Sequence, residues 1–325
     1  MERRFGTAGA VLHGALIVLA AAGARGETFP SRPIHLIVPF GAGGVADVSA
    51  RFVTDKLGDQ LGQRFVIDNM PGAGGIAAAR AALTAPRDGY TLTLLTNATA
   101  VGVSLFSNLP FDPVKDFTPI ATVGYFEALF VTNGASDLRT LGDFLAAARA
   151  KPGALNVGTI SRGSTQNLTA ELFKSTAGVD FVIIPFRTTP EAVIALLRGD
   201  IQLVIDFYAG LKGGLSDGKL RPVAWSGSKR SPALPEVPTV EESGVPDFDV
   251  ISWNAFFAPT GAPPDTLETV NRGLRVVLAD PEVQRKLLDL GIDSQASSPA
   301  ELEARLRSDI AKWAKVIERA NIPKQ

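Results

Sequence analysis

Two glycine turns are the residues best placed to do chemistry in this chain: Phe40-Gly41-Ala42-Gly43-Gly44 and, about thirty residues on, Asn69-Met70-Pro71-Gly72-Ala73-Gly74-Gly75. Each follows a short apolar run and precedes an alanine-rich stretch. Glycine lets the backbone approach a guest closely, and a helix start offers unpaired N–H groups, so the pattern suits an anion such as a carboxylate. Two tight strand-to-helix turns with no guest would use the same residues. Both turns also match Gly-x-Gly-x-x-Ala, the dinucleotide fingerprint. That fingerprint wants one such turn, with an acid about 20 residues later at the end of the next strand. Asp68 lies farther than that from Gly41, and Asp88 falls in a turn ahead of its strand.

Further polar residues gather at the ends of other apolar runs. Thr159-Ile160-Ser161-Arg162-Gly163-Ser164-Thr165-Gln166 follows one of them, and Ser164 or Thr165 can cap the helix beyond. Arg162 can hold a carboxylate bidentately, or stand solvated on the surface. Thr96, Asn97 and Thr99 could supply neutral contacts after another run. Asp206 closes Ile201-Gln202-Leu203-Val204-Ile205, as a helix cap or as a contact for an amine, hydroxyl or water. Asp47 reads first as a first-turn acid that complements its helix.

Catalytic chemistry is poorly supplied. Cys is absent, and only two His occur, His13 near the N-terminus and His35 inside an apolar run. There is no Gly-x-Ser-x-Gly elbow and no His/Cys cluster at metal-ligand spacing. A binding protein rather than an enzyme is expected, with no cofactor and no metal. A nicotinamide-dependent enzyme is the rival class, and titration with NAD(H) would expose it.

The elements that must position these residues alternate. Strands are expected at 34–40, 65–68, 91–95, 129–132, 155–158, 181–185, 201–206 and 221–225, separated by helices at 47–61, 77–85, 141–150, 165–177 and 189–197. Such alternation gives a mainly parallel α/β sheet covered on both faces. Helices at 266–278, 281–290 and 299–320 follow, the last two announced by Asp280-Pro281-Glu282 and Ser298-Pro299-Ala300-Glu301. The proline-rich 230–247 reads as a surface connection.

Residues 1–26 read as an export signal: Arg3 and Arg4, an uncharged apolar run from Ala8 to Ala22, then small residues up to Gly26. The run is shorter than the roughly 20 residues a membrane span needs. The basic pair fits Sec export as well as a twin-arginine signal. Without the three Arg and one Glu of residues 1–26, the net charge of −1 becomes −3, and there is no basic stripe for nucleic acid. The 325 residues are 46% apolar, enough for two domains without disulfides.

These residues also form ordered blocks. Pro30-Ser31-Arg32-Pro33-Ile34, Val38-Pro39-Phe40-Gly41-Ala42-Gly43-Gly44-Val45-Ala46-Asp47, Asn69-Met70-Pro71-Gly72-Ala73-Gly74-Gly75 and Asp88-Gly89-Tyr90 come first. Phe111-Asp112-Pro113, Gly199-Asp200-Ile201-Gln202, Arg230-Ser231-Pro232 and Ala279-Asp280-Pro281-Glu282 follow. Together they resemble the Bug family, the periplasmic solute-binding proteins of tripartite tricarboxylate transporters.

The resemblance implies a type II periplasmic-binding-protein fold, two α/β lobes closing on a small di-, tri- or aromatic carboxylate. Lobe 1 would be 27–128 plus 252–325, and lobe 2 would be 129–251. The implied ligand shell is Phe40, Gly41, Gly43, Gly44, Asp47, Asn69, Gly72, Ala73, Gly74, Thr96, Asn97, Thr99, Ser161, Arg162, Gly163, Ser164, Thr165, Asp206 and Phe207, partly through ordered waters. A monomer working in the periplasm would pass the ligand to integral-membrane permease subunits; a sensor kinase is the alternative partner. The chain departs from the family pattern at Gly41-Ala42, commonly Ala-Pro, and at Arg162, usually a small or amide residue. It departs again at Phe207-Tyr208, where a polar residue often stands. A guanidinium implies a second anionic group and an aromatic pair an apolar body; an aromatic carboxylate satisfies both.

Overall fold

The computed structural model describes Met1, residues 28–319 and residues 322–325; the expected export signal lies outside the described residues, apart from Met1. The N-terminal elements are β1 (Ile34–Val38), α1 (Val45–Leu61), β2 (Phe65–Asn69), α2 (Ile76–Thr84), β3 (Thr91–Thr96) and α3 (Asn97–Leu105). A long strand β4 (Phe117–Asn133) leads to α4 (Leu141–Ala150), β5 (Asn156–Ile160), α5 (Thr165–Ala177), β6 (Val182–Phe186) and α6 (Thr189–Arg198). Next come β7 (Leu203–Phe207), α7 (Tyr208–Ser216), β8 (Leu220–Trp225) and β9 (Ile251–Pro259). The chain ends with α8 (Pro264–Ala279), α9 (Pro281–Leu288), the two-residue β10 (Asp293–Ser294) and α10 (Pro299–Arg319).

Hydrogen bonding orders the strands β2-β1-β3-β9-β4-β7-β5-β6, with β8 and β10 also on β4. Pairing is parallel within β2-β1-β3 and within β7-β5-β6, and antiparallel wherever β4 or β9 takes part. Each parallel group with its helices is one lobe. β4 belongs to both: Phe117–Glu127 pairs with β9, whereas Ala128–Val131 pairs with β7. This is the two-lobed type II architecture.

The sequence placed only residues 129–132 of β4 in a strand. Its front half is hidden by two irregularities, register shifts between Pro119 and Ala121 and between Thr122 and Gly124. Proline donates no ladder bond, and an extra residue reverses the alternation a strand is read by. Gly124 is needed sterically, because a Cβ there would lie 2.6 Å from Ile292 Cγ2 and 2.7 Å from the Asp293 carbonyl of β10.

Burial follows the chemistry of each run. In β1, Ile34, Leu36 and Val38 are buried while His35 alternates outward and meets Asp68 at 2.9 Å. β3 buries Leu92, Leu94 and Leu95 in succession, as a strand covered on both faces does. On α8 the buried set Val270, Leu274, Val277 and Leu278 makes a helical stripe that packs on α1, with Gly273 tight against Leu57. Residue 230–247 is less exposed than expected, since Val240 donates to the Trp225 carbonyl and Val237, Val240 and Val245 are buried.

Candidate functional site

Parallel strands aim all their carboxyl ends at one edge, and each helix that follows starts there. The edges of the two lobes face each other across a narrow cleft of about 30 Å³. Its wall contains the start of α1 (Gly44, Val45, Ala46), the cap of α3 (Thr96) and the start of α5 (Thr165, Gln166). It also contains the start of α6 (Thr188, Thr189) and the cap of α7 (Phe207). Five helix N-termini therefore open on one cavity.

Such convergence has an electrostatic consequence. Each helix start carries roughly half a positive charge in its unpaired amides. No side chain caps α1 or α7, so their first-turn N–H groups remain for a guest. α3, α5 and α6 are capped by Thr96, Ser164 and Thr188, each satisfying one first-turn amide. Arg187, exposed on the wall, adds a full positive charge. The field favours an anion, while Phe40, Phe126, Ile160 and Phe207 supply apolar contact.

One negative group lies in the same cleft. Asp206 is only 2% exposed. Its Oδ1 accepts from the Phe207 amide at 2.7 Å and from Gln166 Nε2 at 2.9 Å, and its Oδ2 accepts from Thr189 Oγ1 at 2.6 Å. Burial nevertheless pushes its pKa up from the ordinary 3.8, because the three donors offset only part of the lost hydration. Asp206 thus ties the starts of α5, α6 and α7 together, and a raised pKa limits the repulsion it would exert on an anionic guest.

Seven residues of the expected shell line this cleft: Phe40, Gly41, Gly44, Thr96, Thr165, Asp206 and Phe207. A smaller adjoining cavity collects Gly72, Gly74, Thr99, Ser161, Arg162, Gly163 and Ser164, sharing Phe40 and Thr96 with the first. Arg162 therefore stands beside the main cleft, and also borders a groove with Glu171 and the C-terminal residues. Gly43, Asp47 and Asn69 brace the first glycine turn from behind. The Asp47 carboxylate accepts from the Gly43 amide, Arg51 Nε and Asn69 Nδ2 within 3.0 Å, and Asn69 Nδ2 also reaches the Phe40 carbonyl. Burial would raise the Asp47 pKa, but these donors outweigh it and hold it below the ordinary value. Asn97 is buried between Trp313 Nε1, which donates to it at 2.9 Å, and Thr165 Oγ1 at 3.3 Å. Ala73 lies in the single 3-10 turn before α2.

The expected shell left out Gln166, although its loop was singled out, and also Arg187, Thr188, Thr189, Ser252 and Asn254. For three of them a signal was present. Thr188-Thr189-Pro190-Glu191 is a capped helix start with Pro in the first turn, and Arg187 immediately precedes it after a strand. Ser252 and Asn254 carry no local signal, because β9 passes the cleft in mid-strand.

Among the described residues no group of three potential metal ligands comes together, and no helix is long and apolar enough to cross a membrane. The family model described as tripartite tricarboxylate transporter family receptor matches residues 49–322, which takes in both lobes. BugT of Bordetella pertussis is 33% identical over 299 residues, spanning 91% of this chain and 92% of that protein. Among solved structures, a protein of R. palustris with adipate superposes at a TM-score of 0.88 and 32% identity, over 91% of this chain and 99% of that one. MatC from Rhodopseudomonas palustris, with bound malate, gives 0.83 and 32%, over 89% and 100%. The shared architecture, the matched length and this level of identity agree: the chain belongs to the tripartite tricarboxylate transporter receptor family, the Bug family its motifs resemble.

Proposed function

We propose that this protein captures a small organic carboxylate between its lobes in the periplasm and hands it to integral-membrane permease subunits. The observation that carries the reading is the convergence of five helix N-termini on one apolar-walled cleft. Relatives with adipate and malate bound lend support, since both ligands are small carboxylates. In this reading the amides at Gly44, Val45 and Ala46 receive a carboxylate, with Arg187 as its countercharge. Phe40, Phe126 and Phe207 enclose the carbon skeleton. The adjoining Gly72–Gly74 and Ser161–Ser164 loops, with Arg162, would receive a second anionic end. Residues 1–26 are removed on export, and the mature chain acts as a monomer.

The lobe boundaries belong to the same proposal. β4 changes partner between Glu127 and Ala128, which supports ending the first stretch of lobe 1 at residue 128; β9 begins at Ile251, which supports its return near 252. A thermal-shift screen of residues 27–325 against mono-, di- and aromatic carboxylates, sugars and cations tests the reading. A carboxylate at about 100 times its dissociation constant should stabilise the fold by about 2.7 kcal/mol. A shift with sugars or cations and none with any carboxylate would overturn it.

A further inference from the structure

Gln166 is 2% exposed and lines the cleft, yet its Oε1 is buried with no hydrogen-bond partner. Its orientation is settled by its neighbour. Nε2 donates to Asp206 Oδ1 at 2.9 Å, and the same oxygen accepts the Phe207 amide at 2.7 Å. Flipping the amide would break that bond and set Oε1, an acceptor, against a carboxylate oxygen that is itself an acceptor of the Phe207 amide. Oε1 is therefore the end left over.

The neutral polar side chains on the wall have partners of their own. The Thr189 hydroxyl is spent on Asp206 Oδ2 at 2.6 Å. Asn254 Nδ2 donates to Ser49 Oγ at 3.3 Å, and Ser252 Oγ pairs with Thr165 Oγ1 at 3.4 Å. A buried acceptor is seldom left unpaired in a native protein, and each exception calls for a ligand, a water or strain. Asp206 beside it adds a reason for a donor, because a negative or partly negative carboxyl lowers the local potential.

We propose that the solute carries a hydrogen-bond donor, a hydroxyl or an ammonium, in addition to its carboxylate, and that Gln166 Oε1 receives it. The cleft is then a receptor for hydroxy or amino acids in preference to plain carboxylates. This rests on the carboxylate reading above. A solute lacking the donor leaves Oε1 unpaired in the closed cleft, which weakens binding roughly five- to hundredfold.

The test compares matched probes by isothermal titration on the mature protein: succinate with malate and aspartate, and phenylacetate with mandelate and phenylglycine. The expected result is that the hydroxylated or aminated member of at least one set binds five times or more tightly than its parent. The malate and aspartate arms separate hydroxyl from ammonium. In Gln166→Met, which keeps the length and removes the acceptor, that preference should shrink towards one. A preference below fivefold in every set overturns the inference and leaves the carboxylate reading standing, as would a water satisfying Oε1. A preference that survives Gln166→Met overturns the assignment to Gln166. Binding of no probe removes the carboxylate reading and this inference with it.

Discussion

Two arginines flank the cleft, and their places give them different weights. Arg187 lines the main cavity, whereas Arg162 stands at the adjoining one and shares a groove with Glu171. A charge-assisted hydrogen bond is worth about 1.5–3 kcal/mol. Arg187→Ala should therefore weaken carboxylate binding about tenfold or more by titration calorimetry. Arg162→Ala should cost a few-fold, and an unchanged affinity would remove Arg162 from the site. Asp206 makes a separate prediction about pH. Its folded pKa is raised above the ordinary 3.8, so its contribution to stability is whole below that value and is lost as pH rises through the folded pKa. Urea unfolding of Asp206→Asn and the wild type should thus move in the variant's favour between pH 4 and pH 7. No change in their difference across that interval would contradict the raised pKa.

Among the elements, the legible ones were those whose signals are local. Helices α4 and α5 have the bounds their capping residues announce: Thr140 accepts from the Asp143 amide, Ser164 from that of Asn167. At Ser298 and Glu301 the reciprocal box forms at 2.8 and 3.2 Å. Helices α3 and α7 were missed for a shared reason. Asn97-Ala98-Thr99-Ala100-Val101-Gly102 mixes β-branched residues with glycine, and Tyr208–Ser216 contains three glycines, so propensity argues against both. Packing overrides it: α3 lies under α10, where Asn97 meets Trp313. The glycine loops were legible as cradles, but which residues face the guest was not, because that depends on the opposite lobe. Gly163 illustrates the point. Its φ of 76° requires glycine, and a Cβ there would come within 3.1 Å of the Phe106 ring from the first lobe. Gly163→Ala should destabilise the protein by about 1–2 kcal/mol from backbone strain alone, measured as a lower midpoint in urea.

For the whole molecule, the lobes lie closed on each other. Gly41 faces Thr188, where a Cβ would sit 3.1 Å from its Cγ2; Lys212 Nζ donates to the Asp289 carbonyl at 2.7 Å; Thr165 meets Asn97 and Ser252. A bulky side chain at position 41 should hold this gap open. Gly41→Trp is expected to lower carboxylate affinity by more than a hundredfold while the circular dichroism spectrum stays native and the radius of gyration increases. Unimpaired binding would mean that closure is not needed for capture. The two-lobed form also implies something about how the molecule comes apart. β4 is at once a strand of both sheets, and β9 stays bonded to it from Phe117 to Glu127. Unravelling either lobe strips β4 of its neighbours on one stretch and exposes the backbone that continues into the other. Melting one lobe alone would therefore leave its partner with an unpaired edge. Calorimetry should give one transition, with van't Hoff and measured enthalpies in agreement. Under limited proteolysis the intact chain should disappear without any lobe-sized fragment accumulating.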